Sequence, residues 1–361
     1  MVEEVRGVPA PRANPDLVGH EGAERELRHL AEAGRLPHAI LLSGPRGIGK
    51  ATLAFRFARF LLAKSAGPSD GVFKESGLEV DPQSGVFHRV ASGGHADLLT
   101  VERAYDPRRR RLRSEILVED AREIAGFFRL TAAEEGWRIV IVDGAEEMNR
   151  IAANALLKIL EEPPRRALLL LVSHSAGRLL PTIRSRCRRL PLAELSRSIV
   201  QQLLKRYRPE LAKPEAEALA ELSGGSIGRA IDLADAGGLG LYRSLLEILS
   251  HMPAADTAEL HAFGDKFSRA DADDVYRTIQ ELLSTFLARM VARAARGQLQ
   301  GGETIAGENE AMQRLSSRAG PARWVGLRQE IEQAFADTDQ LNLDRKQALL
   351  GAFFAIEGLT G

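Results

Sequence analysis

The chain has 361 residues, 44% hydrophobic and 27% charged, which is enough apolar material for two or three domains with true cores. Lys plus Arg (49) balances Asp plus Glu (49), which excludes a strongly basic, histone-like binder while leaving room for a local basic face. A single cysteine, Cys187, excludes an internal disulfide and a multi-cysteine zinc site, and it suits a reducing compartment. The longest unbroken apolar stretch, Ala167 to Val172, is far shorter than the about twenty residues a membrane helix needs. The opening residues carry acids where a secretory leader needs bases, so a cytoplasmic location is expected. Aromatics at 5% argue against a base-stacking single-strand platform.

In chain order, residues 1–15 are Pro-rich and polar and read as a loose tail. Leu17 to Ala33 has helical spacing on a charged helix. Ala39-Ile40-Leu41-Leu42 reads as a buried strand running into a glycine cluster. Lys50 to Lys64 follows as a helix, with Leu53, Phe57, Phe60 and Leu61 on one face. Residues 65–94 are rich in Gly, Ser and Pro and read as an irregular insertion. Leu98 to Val101 reads as a strand, Arg108 to Arg113 as a basic loop, and Val118 to Leu130 as a helix. Ile139 to Val142 is a third strand, ending at Asp143. Met148, Ile151, Ala155, Leu156, Ile159 and Leu160 form a helical stripe that Pro163-Pro164 stops, and Leu168 to Val172 is a fourth strand. This alternation predicts a parallel α/β domain. From Leu195 onward only helical patterns remain, so the second half is expected to be all-α.

Two stretches carry chemistry. Gly44-Pro45-Arg46-Gly47-Ile48-Gly49-Lys50 is a GxxxxGK loop between a strand and a helix. Its glycines let backbone N–H groups curl inward around phosphate, the helix N-terminus adds partial positive charge, and Lys50 reaches the outer phosphates. The next position usually supplies a hydroxyl to Mg²⁺. Here it is Ala51, with Thr52 one residue later and rotated by about 100° around the helix. Asp143, at the carboxyl end of an apolar strand, either holds a Mg²⁺ shell or caps the turn that follows. Gly144 follows it, with Glu146 and Glu147 further on. A phosphate cradle with impaired metal placement is the reading of these residues.

Three segments, 36–52, 148–164 and 179–187, together resemble the clamp-loader ATPases of the AAA+ class, most specifically Asn154-Ala155-Leu156-Leu157-Lys158, Glu161-Glu162-Pro163-Pro164 and Ser185-Arg186-Cys187. The resemblance implies an AAA+ P-loop domain over 16–190, a small helical lid over 191–240 and a helical collar over 241–361. It also implies that Arg186 reaches the ATP site of a neighbouring subunit. The family's hydrolysing motor subunits carry Thr after the loop Lys, Glu after the strand-end Asp and Arg in the lid. Here those places hold Ala51, Gly144 and Gly228, with Arg229 one step beyond and His174, beside Ser173, at the first sensor position. Some relatives carry a four-cysteine zinc module where 65–94 lies; this segment has no Cys, so no metal site is expected there.

The expected function is therefore that of a subunit that supports ATP-driven loading of a sliding clamp onto primed DNA, with weak or absent ATPase of its own. Expected partners are motor (gamma/tau) and delta subunits in a hetero-pentamer, with ATP or ADP as ligand and Mg²⁺ held weakly at most. The alternatives are a gamma/tau-like motor or another DNA-dependent AAA+ ATPase, or a nucleotide switch with no role on DNA. Cys187 is expected in the core, His38 in a turn, and Asn342 and Leu343 in collar packing. The run Arg108 to Arg113 reads either as a solvated loop or as a contact for DNA phosphate.

Overall fold

The structure, a computed structural model, describes residues 4–5, 7–66, 77–106, 111–130, 136–254, 256–267, 273–299, 302–341 and 343–360. Its backbone divides into two compact units. One holds residues 1–199 with 225–228, the other 200–224 with 229–361.

The first unit is built on a parallel sheet of β1 (Ala39–Ser43), β2 (Leu98–Val101), β3 (Arg138–Asp143), β4 (Ala167–Ser173) and β5 (Arg188–Pro191), in the order β2-β3-β4-β1-β5. The central strands are apolar on both faces because helices cover both sides, the pattern parallel sheets require. Ile40, Leu41, Leu42, Val140, Ile141, Leu168 and Leu170 are all fully buried. At about 1.5–3 kcal/mol for each large apolar side chain, these strands supply much of the unit's driving force.

On one face, α2 (Lys50–Ala66) packs with α1 (Glu21–Glu32) against Ile40, Leu42, Ile139 and Leu170. On the other, α4 (Val118–Arg129) and α5 (Arg150–Glu161) enclose Leu41, Val142, Leu169 and Cys187. Asn149 caps α5 by accepting from the N–H groups of Ile151 and Ala152. Pro163-Pro164 lies just past the helix end, as expected.

Residues 1–15 are not a loose tail where the structure describes them. Residues 4–5 and 8–9 pair antiparallel, and Ala13 is buried with Phe87 and Ala91. Two arginines of α2 hold this segment. Arg59 donates to the carbonyls of Arg12 (2.8 Å) and Asn14 (2.6 Å), with its guanidinium 4.6 Å from the Phe87 ring. Arg56 donates to the Pro15 carbonyl and pairs with Glu24 at 2.6 Å. So α2 is buried on more than its apolar face: Arg56 and Arg59 are 3% and 2% exposed.

The insertion is also partly regular. Ser84 accepts from the Phe87 N–H and starts α3 (Gly85–Ala91), whose Val86, Phe87 and Val90 are buried. Residues 67–76 lie outside the described residues, as do Arg108, Arg109 and Arg110 of the basic run. Arg111 and Leu112 pair with Tyr105 and Asp106 as a short ribbon.

The second unit is helical among its described residues; the chain runs through α7 (Arg197–Tyr207), α8 (Lys213–Leu222), α9 (Ile227–Asp235), α10 (Gly238–His251) and α11 (Thr257–Asp265) to α12 (Asp273–Ala295), α13 (Glu308–Ser316), α14 (Pro321–Leu341) and α15 (Arg345–Thr360). Tyr242, Tyr276, Phe286, Trp324 and Phe353 fill its core. Within it, the fully buried Glu308 takes a hydrogen bond from Tyr242 and pairs with Arg289 at 2.9 Å. Leu343 is 54% exposed, not packed in this chain's core, and Asn342 lies outside the described residues. No described helix is long and apolar enough to cross a membrane.

Candidate functional site: a phosphate loop at the carboxyl edge of the sheet

β1 ends at Ser43 and the chain turns through Gly44 (φ +151°), Gly47 (φ +76°) and Gly49 (φ +103°) before α2 begins at Lys50. These backbone angles curl Pro45, Arg46 and Ile48 into a loop over the helix N-terminus, the geometry that gathers N–H groups around an anion. Lys50 is 2% exposed, and its ammonium donates to the Pro45 carbonyl. Burial pushes that ammonium down to about 8, against the pull of Asp143 and Glu146.

Asp143 leaves the end of β3 beside this loop. Burial first, then the neighbouring Glu102, lifts its carboxyl to about 6, and its Oδ1 is buried without a hydrogen-bond partner among the described residues. Glu146 accepts from the N–H groups of His174 (2.8 Å) and Ser175 (3.2 Å), which ties the turn after β3 to the turn after β4. Burial and the nearby Lys50 push the His174 ring down to about 4, so above that pH it is a neutral imidazole. The Ser173 hydroxyl is fully buried and has no hydrogen-bond partner among the described residues.

Gly144 adopts φ +76°, and a Cβ built there would fall 2.5 Å from the Glu147 Oε2. That carboxylate therefore lies over Gly144, held by Arg103 at 2.8 Å. Thr52 is 8% exposed and Ala51 offers no hydroxyl. Among the described residues there is no group of three or more His, Cys, Asp or Glu placed to hold a metal ion. The donor set thus fits a di- or triphosphate, with the loop N–H groups and Lys50 as its holders. For Mg²⁺ it offers the orphaned Asp143 oxygen without the usual hydroxyl.

Two residues of the loop are also bound from a distant stretch of sequence. Ser226 Oγ donates to the Arg46 carbonyl (2.8 Å) and the Gly228 N–H donates to the Gly47 carbonyl (2.9 Å). A Cβ on Gly228 would stand 2.9 Å from Gly47 Cα, so the lid position approaches the loop by backbone alone. Arg229, the other degenerate sensor position, is engaged within the helical unit. It donates to Thr285 Oγ1 (2.5 Å) and to the Glu281 carbonyl (3.1 Å), and so holds α12. His20 was not singled out from the sequence, yet its Nε2 donates to the Ile48 carbonyl at 2.7 Å.

Arg186 sits apart from all of this. It follows the short helix α6 (Pro181–Arg184) and precedes β5, whose Arg188 pairs with Ile40 and whose Pro191 pairs with Ser43. The phosphate loop leaves the Ser43 end, and Arg186 lies before the opposite end. At about 3.3 Å per strand residue, the three steps from Arg188 to Pro191 alone cover roughly 10 Å. Cys187 beside it is 8% exposed, and burial lifts its thiol to about 11, as befits a core residue.

A parallel sheet with a glycine loop after β1 and an acid at the end of β3 is the architecture of the P-loop fold, joined here to a helical unit. Residues 19–196 match the family model described as DNA polymerase III, delta subunit. The chain is similar to the DNA polymerase III subunit delta' of Pseudomonas aeruginosa, at 40% identity over 52% of this chain and 53% of that protein. It is similar to the DNA polymerase III subunit tau of Escherichia coli, at 31% identity over 62% of this chain and 33% of that one. A solved gamma subunit-related protein of DNA polymerase III from Thermotoga maritima aligns at 20% identity and a TM-score of 0.44, covering 93% of this chain and 99% of that one. The matches thus span about half of the first relative and a third of the second. Over its α/β unit the chain is thus similar to the delta and delta' subunits of DNA polymerase III.

Proposed function

We propose that this chain is a delta-prime-like subunit of a bacterial clamp loader that assists ATP-driven loading of a sliding clamp onto primed DNA. In this reading it works in the cytoplasm within a hetero-pentamer of gamma/tau and delta subunits. Arg186 is its contribution to hydrolysis, given to a neighbour's ATP. The supporting observation is the register of β5: Arg186 lies at the end of the sheet away from its own phosphate loop, on the exposed surface. An arginine that cannot serve its own site is free to serve another. A guanidinium supplied in trans stabilises charge on a transferring phosphoryl group, a term of about 10³–10⁵ in rate.

The chain's own loop binds ATP or ADP in this reading and turns it over slowly or not at all. Ala51 supplies no hydroxyl to Mg²⁺, and Gly144 supplies no base. Lys50 and the loop N–H groups hold the phosphates.

Arg186→Ala tests the trans role. The variant should unfold at the wild-type temperature and enter the complex, while the facing ATP site slows by about 10³-fold or more. Unchanged turnover in the assembled complex refutes it. One observation favours the alternative, a hydrolysing motor: the Glu147 carboxylate lies over Gly144, close to where a base would stand. Arg103 neutralises that carboxylate at 2.8 Å. ATP turnover by the isolated chain at motor rates would decide for the motor.

A further inference from the structure

Arg186 is not loose on the surface. Its Nη2 donates to Glu161 Oε1 at 2.8 Å and its Nη1 donates to the Thr182 carbonyl at 3.1 Å. Glu161 is the last residue of α5, ahead of Pro163-Pro164, and Thr182 lies in α6, so the guanidinium is gripped from two separate elements. The base of the side chain is fixed as well, because the next residue, Cys187, is buried in the core between sheet and α5. An arginine carries five N–H donors in one plane. Two are engaged here, which leaves three for another acceptor.

The Glu161 pair is half-exposed, with side chains 36% and 51% accessible, and such pairs add little to folding stability. What the pair does is orient. A free arginine samples many rotamers, and ordering it on a phosphate at the moment of reaction costs entropy; a guanidinium already held in plane has met that cost in advance. We infer that Glu161 is a positioning residue for Arg186, holding the guanidinium in the attitude in which it meets the neighbouring subunit's nucleotide. This rests on the trans role proposed above. It assigns the terminal carboxylate of α5 a part in turnover that is separate from capping or stabilising that helix.

The test uses the full assembled complex with saturating clamp and primed DNA. Glu161→Gln should leave chain stability and assembly unchanged, and should lower kcat for ATP about fivefold, equivalent to about 1 kcal/mol at 1.36 kcal/mol per factor of ten, with KM for ATP unchanged. Glu161→Asp, which keeps the charge, should recover part of the rate. In an Arg186→Ala background, Glu161→Gln should do nothing further, since nothing remains to be positioned. An unchanged kcat in Glu161→Gln, or an equal loss in the Arg186→Ala background, overturns the inference. So does a faster Glu161→Gln complex, which would mean that Glu161 competes with the nucleotide for the guanidinium. If Arg186→Ala itself has no effect, the trans reading fails first, and the two failures are distinct.

Discussion

Gly228→Ala is a one-carbon change with a calculable cost. The added Cβ would lie 2.9 Å from Gly47 Cα and 3.4 Å from the Gly47 carbonyl oxygen, both backbone atoms of the phosphate loop. Neither can swing aside as the end of a flexible side chain could, so the Gly228–Gly47 approach must widen. Its 2.9 Å hydrogen bond then stretches or breaks, at about 0.5–1.5 kcal/mol. Forcing apart packed backbone costs about 1–3 kcal/mol more. Against this, alanine gains about 0.5–1 kcal/mol over glycine within a helix, and Gly228 lies in α9 (Ile227–Asp235). The net expectation is a loss of about 1–3 kcal/mol in urea denaturation of the full chain. Calorimetric titration with ADP should show weaker binding, because the loop has lost a brace. Ser226→Ala, which removes the 2.8 Å bond to the Arg46 carbonyl, should lose about 1 kcal/mol without any clash. A Gly228→Ala chain as stable as wild type would refute the idea that this contact shapes the loop. The same geometry bars any larger side chain at 228, which would start inside the loop's contact distance.

Two further outcomes follow from buried charge. Asp143 titrates near 6 in the folded chain, above its usual 3.8, so folding disfavours its ionised form. That penalty is fully present above about pH 6 and disappears as pH falls toward 4, so Asp143→Asn should stabilise the chain by about 1–3 kcal/mol at pH 7.5 and by much less at pH 4.5. Equal gains at both values in denaturant titrations would contradict the assignment. Arg59→Ala should cost about 3 kcal/mol, because it strips the Arg12 and Asn14 carbonyls of a donor and leaves a cavity beside Phe87. Hydrogen exchange of residues 7–15 should rise more than that of β1, and protection equal to wild type across this stretch would count against the strap.

The central strands were legible because a parallel sheet covered on both faces writes itself as unbroken apolar runs, as in Leu168 to Val172. The fifth strand was not: Arg188-Arg189-Leu190-Pro191 lies at a sheet edge, buries only Leu190, and so carries neither an apolar run nor an alternation. The loop and Asp143 were readable because glycine spacing and a strand-end acid are local signals. The bracing of that loop by His20, Ser226 and Gly228 is long-range and made largely through backbone carbonyls, which no side-chain pattern reports. The roles of Arg56 and Arg59 were hidden for a related reason. Arginines inside an apolar helix suggest a solvated face, whereas here their heads are satisfied by the carbonyls of a segment that composition marked as loose.

The assignment of residues 225–228 to the α/β unit, while the stretches on both sides join the helical unit, has a practical meaning for anyone who dissects the molecule. A fragment cut after residue 199 would keep every strand and the whole glycine loop, yet it would lose the only donors described here for the Arg46 and Gly47 carbonyls. Weak nucleotide retention by such a truncated piece would report the scissors, not the intact polypeptide.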